Sequence, residues 1–387
     1  MRCNWCMKKL SEIAHINPKE SIGKGITAKK VPMDKLQPFC RDIPEFILEE
    51  YKGGAKFRNG DTIMARITPC LENGKISKVS ILDDEVGFGS TEYIVFRAIE
   101  GVSDADFLYY LICSPLVRNP AIKSMVGSSG RQRVQTDVVA DLDIELPNIE
   151  EQRKIGSILR ALDDKIALNN AINNNLEQQA SLLVRQYCEN LTSSVEVGRI
   201  LSFENGFAFK SSSYHKKGKY RIITIKNVQD AKIDTQGAAC IDDIPPRMKQ
   251  NCFLSIGDVL ISLTGNVGRV GIVCEKNLLL NQRVAKFVPK DIRMLPLIYF
   301  YFRLPSTKTS LEVISKGTAQ QNLSPIEALK LQIPYETQQS LELSNLLHPM
   351  FCTIYQKNIE NIQLAKIRNS LLPRLMSGEL DVSDIDI

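Results

Sequence analysis

Two polar loops carry the side chains best suited to recognising another molecule. They span residues 127–135 and 317–322, and each precedes a Leu-Pro or Ile-Pro pair. Arginine, glutamine and asparagine form paired hydrogen bonds with the edges of guanine or adenine, so both loops are candidates for reading bases. A polar loop that only caps the next strand or helix would have the same composition, and this alternative stays open. The candidates for base contact are Arg131, Gln132, Arg133, Gln135, Thr318, Gln320, Gln321 and Asn322.

Positive charge is distributed unevenly along the chain. Residues 191–334 contain 20 lysines and arginines against 11 aspartates and glutamates, whereas residues 1–148 contain 20 of each kind. An excess of positive charge is typical of nucleic-acid-binding modules. Solvation at the surface is the alternative explanation for any one of these residues, and for Arg66 an ion pair with a core carboxylate such as Asp61 is another. The candidate DNA-contacting cations are Lys24, Lys29, Lys30, Lys56, Arg58, Arg66, Lys210, Lys216, Lys217, Lys219, Arg221 and Arg269.

Residue sets that catalyse reactions are absent from the sequence. It has no Gly-x-x-x-x-Gly-Lys-Ser/Thr phosphate-binding loop and no Asn/Asp-Pro-Pro-aromatic segment of the kind that amino-methyltransferases use on an extruded base. The three histidines lie away from any nucleophile motif. Cys3 and Cys6 have a zinc-like spacing, but no second ligand pair follows them. We therefore predict a recognition or scaffold protein with no catalytic residue, no metal and no cofactor of its own.

The composition also indicates where the protein works. No apolar run reaches the roughly 18 residues that a membrane-spanning helix needs, and residues 1–10 lack an apolar signal region. The ten cysteines show no paired spacing, which favours reduced thiols over disulfides. We predict a cytoplasmic protein without a membrane contact.

Two long segments repeat each other and must position the polar groups. Residues 149–190 and 336–377 carry apolar residues at coiled-coil spacing, and this predicts two long helices with a kink or restart near Pro349. The polar residues Asn169, Asn173, Lys357 and Asn361 interrupt the seams, either to set the register or to face a partner subunit. The predicted seam and subunit-interface residues are Ile155, Leu159, Leu162, Ile166, Leu176, Leu183, Leu343, Leu347, Met350, Ile354, Leu364 and Leu371. Those expected to be largely buried are Leu159, Leu162, Ile166, Leu347 and Ile354.

The segments before the long helices are predicted to be globular and mixed (α+β). Short β-branched runs alternate there with turn signals and with short helical stretches. Strands are predicted at 62–68, 92–98, 220–225, 259–263, 270–274 and 283–288, and helices at 107–113 and 296–303. The predicted domains are a globular domain at 1–148, a long helix at 149–190, a second globular domain at 191–335, a long helix at 336–377, and a tail at 378–387.

Four strings resemble the specificity (S) subunits of type I restriction-modification systems. Residues 146–169 (LPNIEEQRKIGSILRALDDKIALN) resemble the central conserved region of that family, and residues 367–380 (IRNSLLPRLMSGEL) resemble the end of its distal region. Residues 59–75 (NGDTIMARITPCLENGK) and 87–96 (GFGSTEYIVF) resemble one common type of its target recognition domain. The similarity covers essentially the whole chain.

The resemblance implies that each globular domain is a target recognition domain for one half of a bipartite DNA site. It implies that the long helices pack antiparallel as a coiled coil, which separates the two domains within an internal pseudo-twofold repeat. The implied partners are double-stranded DNA, two modification (methyltransferase) subunits that dock on the helices, and translocating restriction subunits. S-adenosylmethionine, ATP and Mg²⁺ are implied to belong to those partners.

The residues alone leave two other functions open. A free-standing DNA-binding regulator with two unlike half-sites would need no methyltransferase. A coiled-coil scaffold would need no nucleic acid at all. The positive charge of residues 191–334 and the two polar loops argue against the scaffold.

Overall fold

The structure is a computed structural model that describes residues 5–128, 130–315, 322–382 and 385. Contacts divide the chain into two units, Met1–Ala167 with Gln363–Ile387, and Leu168–Ile362. Each unit combines small sheets with helices, so the predicted α+β class is confirmed. The division falls inside both long helices, because each helix end packs against the core of its own unit. The domain boundaries drawn from the sequence stay a prediction.

The elements follow the chain in two similar series. The first series is β1 (Cys6–Lys9), α1 (Leu10–Ile13), β2 (Ala14–Ile16), β3 (Thr27–Val31), β4 (Ile47–Glu50), β5 (Lys56–Phe57), β6 (Thr62–Ala65), β7 (Ile76–Lys78), β8 (Gly87–Gly89), β9 (Tyr93–Ala98), α2 (Ala105–Cys113), α3 (Pro115–Lys123), α4 (Thr136–Ala140), β10 (Asp143–Leu146) and α5 (Ile149–Asn190). The second series is β11 (Ser194–Glu196), β12 (Leu201–Asn205), β13 (Tyr220–Ile223), β14 (Ala231–Lys232), β15 (Cys240–Ile241), β16 (Phe253–Leu254), β17 (Val259–Ser262), β18 (Val270–Ile272), β19 (Leu278–Leu280), β20 (Val284–Pro289), α6 (Leu295–Phe302), α7 (Pro305–Ile314), α8 (Pro325–Leu329), β21 (Gln332–Pro334) and α9 (Thr337–Met376).

The two series share one sheet topology. The order β2-β9-β6-β7, antiparallel throughout, recurs as β12-β20-β17-β18, to which the second unit adds β14. The order β4-β3-β8-β5, with only β3 and β8 parallel, recurs as β15-β13-β19-β16, with only β13 and β19 parallel. The pairs β1-β10 and β11-β21 close the two globular parts. The sequence repeat is therefore a repeat of topology, and the six predicted strands and two predicted short helices are each present within a few residues of their predicted ends.

Helix α2 shows why each globular part has a core. All six residues from Phe107 to Ile112 are buried, as in a helix that is apolar on every face. Its start is fixed by Asp104, whose carboxylate accepts hydrogen bonds from the backbone N–H groups of Asp106 and Phe107. Helix α6, its counterpart in the second unit, is buried from Pro296 to Phe302.

Side-chain caps set the starts of both long helices. The Asn148 side-chain oxygen accepts from the backbone N–H of Glu151 at 2.9 Å, and its amide nitrogen donates back to the Glu151 carboxylate at 3.0 Å. The Glu336 carboxylate accepts from the backbone N–H of Gln339 at 2.8 Å before α9. Helix α9 ends just before Gly378, which has a φ of +65°, a conformation that suits glycine. Both predicted long helices are confirmed.

The long helices pair antiparallel within each unit. In the second unit, the Asn169 amide nitrogen donates to Asn361 at 2.9 Å, and that of Asn173 donates to Asn358 at 3.0 Å. Residue numbers therefore fall along α9 as they rise along α5. In the first unit, Asp163 pairs with Arg368, and residues of both helices enter the same core.

The polar interruptions of the seams behave in two ways. Asn169 and Asn173 are buried and bond across the helix pair, which agrees with a register-setting role. Lys357 instead pairs with Glu360 of its own helix at 2.9 Å. Asn361 accepts from Asn169 and donates to Asn170 at 2.9 Å.

Burial along the seams differs from the prediction at two positions. Leu159, Leu347 and Ile354 are buried as expected, but Leu162 and Ile166 are only half-buried. At Leu162 the physical reason is the neighbouring Asp163, which takes the buried position and whose carboxylate accepts from the Tyr110 hydroxyl at 2.7 Å. Of the twelve predicted seam residues, Ile155, Leu159, Leu347 and Ile354 are buried, and Leu162, Ile166, Leu176, Leu183, Leu343, Met350, Leu364 and Leu371 are half-buried.

Helix α9 does not restart at Pro349. It is continuous from Thr337 to Met376, so a restart there was a wrong prediction, while a kink stays a prediction. Leu347 and Phe351, on either side of the proline, are both buried in the core of the second unit. Their packing holds the helix together where the proline removes a backbone donor.

None of the described cysteines, which exclude Cys3, forms a disulfide. Cys240, Cys252 and Cys274 are buried, and burial raises the pKa of the Cys274 thiol to about 12. Within the described ranges, neither the two long helices nor any shorter one combines the length and hydrophobicity that crossing a membrane requires.

Candidate nucleic-acid interface

In the first unit, the predicted base-reading loop is a hairpin that lies against the chain leaving β6. Val126 and Arg133 exchange both backbone hydrogen bonds, at 3.1 and 2.9 Å, and so close the hairpin. Its second arm is joined to β6, because the Val134 N–H donates to the Arg66 carbonyl oxygen at 2.8 Å. Backbone hydrogen bonds therefore hold this arm in place on both sides.

An ion pair ties the same hairpin to the turn between β8 and β9. The Arg133 guanidinium donates through Nε and Nη2 to the Glu92 carboxylate, at distances of 2.7 to 3.0 Å. The bonded guanidinium lowers the pKa of the Glu92 carboxyl, against a smaller opposite effect of burial. Arg131 and Gln135 are exposed and Gln132 is half-buried, so the hairpin presents polar side chains on a fixed backbone.

In the second unit, Asn322 lies at the matching place. The Leu323 N–H donates to the Leu263 carbonyl oxygen at 2.7 Å, as Val134 does to Arg66. The Thr264 hydroxyl donates to the Asn322 side-chain oxygen at 2.9 Å. The predicted base-reading residues Thr318, Gln320 and Gln321 lie outside the described residues.

The turns before β9 and β20 also match. The Arg66 N–H donates to the Glu92 carbonyl oxygen at 2.9 Å, and the Leu263 N–H donates to the Arg283 carbonyl oxygen at 3.1 Å. Each turn is also bonded within itself in the same way. The Glu92 N–H donates to the Ser90 hydroxyl oxygen at 3.1 Å, and the Arg283 N–H donates to the Asn281 side-chain oxygen at 3.3 Å. Glu92 and Arg283 therefore occupy equivalent positions.

A polar cleft of about 550 Å³ opens at this place in the second unit. Its polar wall consists of Asn205 at the end of β12, Thr264 after β17, Gln282 and Arg283 before β20, and Asn322 and Ser324. Each of these side chains can donate or accept hydrogen bonds, so the cleft can bind a planar polar edge such as that of a base.

Family comparison gives this repeated arrangement a context. A family model described as the type I restriction modification DNA specificity domain matches residues 3–178 and, a second time, residues 192–346. The chain belongs to the type I restriction-modification specificity family. The two matches follow the internal repeat, so each copy of the domain contains one of the two loop-and-turn arrangements.

Individual members of the specificity family cover different parts of the chain. The specificity subunit of the type I restriction enzyme HindI from Haemophilus influenzae is 24% identical over 86% of this chain and 90% of its own length. The EcoAI specificity subunit from Escherichia coli is 31% identical, but the match spans only 39% of this chain and 26% of that protein. The crystal structure of a type I system S subunit from M. genitalium shares the fold with a TM-score of 0.57, 16% identity and 96% coverage of both chains.

Most of the predicted cations in the first copy of the specificity domain are bonded within their unit. The bonded ones are Lys29 with Asp83, Lys30 with Glu49, Lys56 with the Glu20 carbonyl oxygen, Arg58 with the Glu20 carboxylate, and Arg66 with the Val134 carbonyl oxygen. Lys24 is exposed. The nearby guanidinium of Arg58 and, next to it, that of Arg97 lower the pKa of the Glu20 carboxyl. The five bonded cations therefore take part in contacts within their own unit.

Arg66 does not form the alternative ion pair with Asp61. The buried Asp61 carboxylate accepts from Nε and Nη2 of Arg97, both at 2.7 Å, and from the backbone N–H of Arg58 at 2.8 Å. Arg66 donates to the Val134 carbonyl oxygen at 3.0 Å and so supports the hairpin. The pair with Asp61 failed because Arg97, on the adjacent strand, faces that carboxylate.

The predicted cations of the second copy divide into exposed and bonded groups. Lys210, Lys216, Lys217 and Lys219 are exposed. Arg221 pairs with Glu275 at 3.1 Å, and Arg269 donates to the Gln229 side chain at 2.8 Å. Lys210, Lys216 and Lys217 can thus meet phosphates without breaking an internal contact, whereas the Lys219 ammonium lies over the Tyr220 ring.

Sequence reasoning missed Gln282, Arg283, Asn205 and Thr264. A signal was available for the first two, because the polar triplet 281–283 separates two apolar strands, β19 and β20. Asn205 and Thr264 gave no local signal, since they join the cleft only through strand pairing between β12, β20 and β17. Among the described residues, no three histidine, cysteine or acidic side chains come together as metal ligands would.

Proposed function

We propose that this chain is the DNA-recognition subunit of a type I restriction-modification complex, in which each unit reads one half of a bipartite site. One observation carries the proposal: in both units, the residue that follows β6 or β17 bonds the turn before β9 or β20 on one side and the predicted base-reading segment on the other. This shared backbone frame bears different side chains in the two units. Glu92 and Arg133 occupy it in the first unit, and Arg283 and Asn322 occupy it in the second. A shared frame with different side chains is what a protein needs to read two unlike sequences with one fold.

The roles of the side chains follow from their exposure. We assign base contact in the first unit to Arg131, Gln132 and Gln135, because Arg133 is engaged by Glu92 and positions the hairpin. Phosphate contact falls to exposed lysines such as Lys216 and Lys217, which raise affinity without carrying sequence information.

The long helices offer a surface for other subunits. Large apolar side chains are exposed on both of them: Leu168 and Leu182 on α5, and Leu346 and Ile367 on α9, each with about half or more of its surface accessible. A contact surface for another subunit needs exposed apolar side chains such as these. We propose that two modification subunits dock on the helices, and that a helix of 42 residues, roughly 60 Å long, sets the spacing between half-sites.

The chemistry belongs, in this proposal, to the partner subunits. Methyl transfer, ATP hydrolysis and DNA cleavage are theirs, and so are S-adenosylmethionine, ATP and Mg²⁺. Restriction subunits join the methyltransferase subunits, and the complex works in the cytoplasm. The chain itself contributes recognition and assembly.

Long-read methylation sequencing of a host that carries the system, with and without the gene for this chain, tests the proposal. We expect a bipartite methylated motif that requires the gene. The purified chain alone should transfer no methyl group from S-adenosylmethionine. An unchanged methylation pattern without the gene, or methylation by the isolated chain in proportion to its concentration, would contradict the proposal.

A further inference from the structure

Arg283 is held on a rigid backbone in the polar cleft of the second unit. Its N–H donates to the Asn281 side-chain oxygen, and its carbonyl oxygen accepts from Leu263 at 3.1 Å. The preceding Gln282 N–H donates to the Phe207 carbonyl oxygen at 3.1 Å. The side chains of Gln282 and Arg283 are nevertheless exposed. The fixed backbone thus holds both exposed side chains at defined places in the cleft, where they can meet a ligand.

The Arg283 guanidinium has no carboxylate partner within the described parts of the chain. Two arginines of the same unit are by contrast held in ion pairs, Arg221 with Glu275 and Arg303 with Glu177 at 2.6 Å. Arg283 therefore keeps its donors available to a ligand. Guanidinium donors form a fork that fits two adjacent acceptors, and guanine presents such a pair, O6 and N7, in the major groove.

The equivalent position in the first unit supports a role in specificity. There Glu92 occupies the frame, and its charge is balanced by Arg133. The second unit reverses this arrangement, with the cation on the turn and the neutral Asn322 on the opposite segment. Asn322 accepts from Thr264, so its amide nitrogen remains as a donor beside Arg283 in the same cleft. The two units thus present opposite charges at one structural position.

We propose that Arg283 reads a guanine in the half-site bound by the second unit, through a bidentate contact with O6 and N7. Gln282 and Asn322 flank it in the cleft and contact the neighbouring base pairs. This inference rests on the proposed function, and it adds the residue and the base. A phosphate group offers the same guanidinium an alternative ligand, so the test must separate base reading from phosphate binding.

The test uses the complete methyltransferase complex in cells, with methylation sequencing as the readout. Arg283→Ala should remove the requirement for guanine at one position of one half-site, with a loss of discrimination of roughly five- to 150-fold. The other half-site should stay unchanged, which also shows that the variant folds and assembles. Arg293→Ala is the matched control, because Arg293 is an exposed arginine of the same unit that pairs with Asp291 and does not line the cleft.

Three outcomes decide the inference. Relaxation at a single guanine supports it. Uniformly weaker methylation of all sites, with the motif intact, means that Arg283 binds phosphate, and this result overturns the inference. A motif and a methylation rate equal to those of Arg293→Ala also overturn the inference. In each case the wild-type complex reports separately on the proposed function, which fails only if the unaltered chain specifies no methylated motif.

Discussion

Arg368 of the second long helix donates to the buried carboxylate of Asp163 on the first, and the Tyr110 hydroxyl donates to the other oxygen of that carboxylate at 2.7 Å. Three elements of the first unit meet at this one group. The second unit has a similar contact, because Arg303, which follows α6, lies 2.6 Å from Glu177 of α5. In each unit, a carboxylate of α5 thus joins the long helix to the globular part, and it is buried in Asp163 and half-buried in Glu177.

The first prediction concerns this anchor. Asp163→Ala should lower the free energy of unfolding by about 3–5 kcal/mol, because it removes the buried carboxylate that balances the charge of the half-buried Arg368 guanidinium. The adjacent Asp164 is the control, since it is exposed and its ion pair with Arg41 should contribute about 0–1 kcal/mol. Chemical denaturation of both variants makes the comparison. Equal losses would show that the buried pair has no special role.

The second prediction concerns the asparagines between the helices. Asn361→Leu alone should destabilise the protein by about 1–3 kcal/mol, because it leaves the buried Asn169 amide without its partner. The double variant Asn169→Leu/Asn361→Leu should recover most of that loss, since both polar groups are then removed. A double-mutant cycle by thermal unfolding gives the coupling energy. Additive effects would argue against the register-setting role.

The third prediction is a pH dependence of the first-unit hairpin. The pKa of Glu92 is lowered in the folded protein, so its ion pair stabilises the hairpin above the ordinary carboxyl pKa and is lost as the pH falls through the lowered value. Amide exchange at Val126 and Arg133 should therefore accelerate in acid, relative to the core strand β9. In the Glu92→Gln variant, these two amides should exchange fast at all pH values. The exposed Glu85→Gln is the control, and a pH effect that survives in Glu92→Gln would contradict this account.

The fourth prediction separates affinity from specificity. Lys217→Ala should weaken DNA binding about equally for all sequences and reduce the slope of log affinity against log salt by roughly 0.9, because one phosphate contact is lost. Arg221→Ala should act through stability instead, since Arg221 pairs with Glu275. Fluorescence titration at several salt concentrations measures both. A change in sequence preference in Lys217→Ala would refute its assignment to phosphate.

Local pattern predicted the long helices and the main strands, because apolar spacing is a property of neighbouring residues. It misplaced Leu162, since the burial of Asp163 depends on Tyr110 and Arg368, far away in the chain. It found Arg133 but not its partner Glu92, which is 41 residues earlier. The cleft around Arg283 depends on strand order, and spacing along the chain does not contain that information.

Exchange of residues 191–334 for the matching region of a relative with a different methylated motif tests the central claim most directly. Methylation sequencing of a host that carries the hybrid chain, with the original modification subunits, gives the result. We predict that one half of the bipartite motif changes to that of the relative, while the other half stays as it was. A motif altered in both halves, or in neither, would contradict the claim that each unit reads its own half-site.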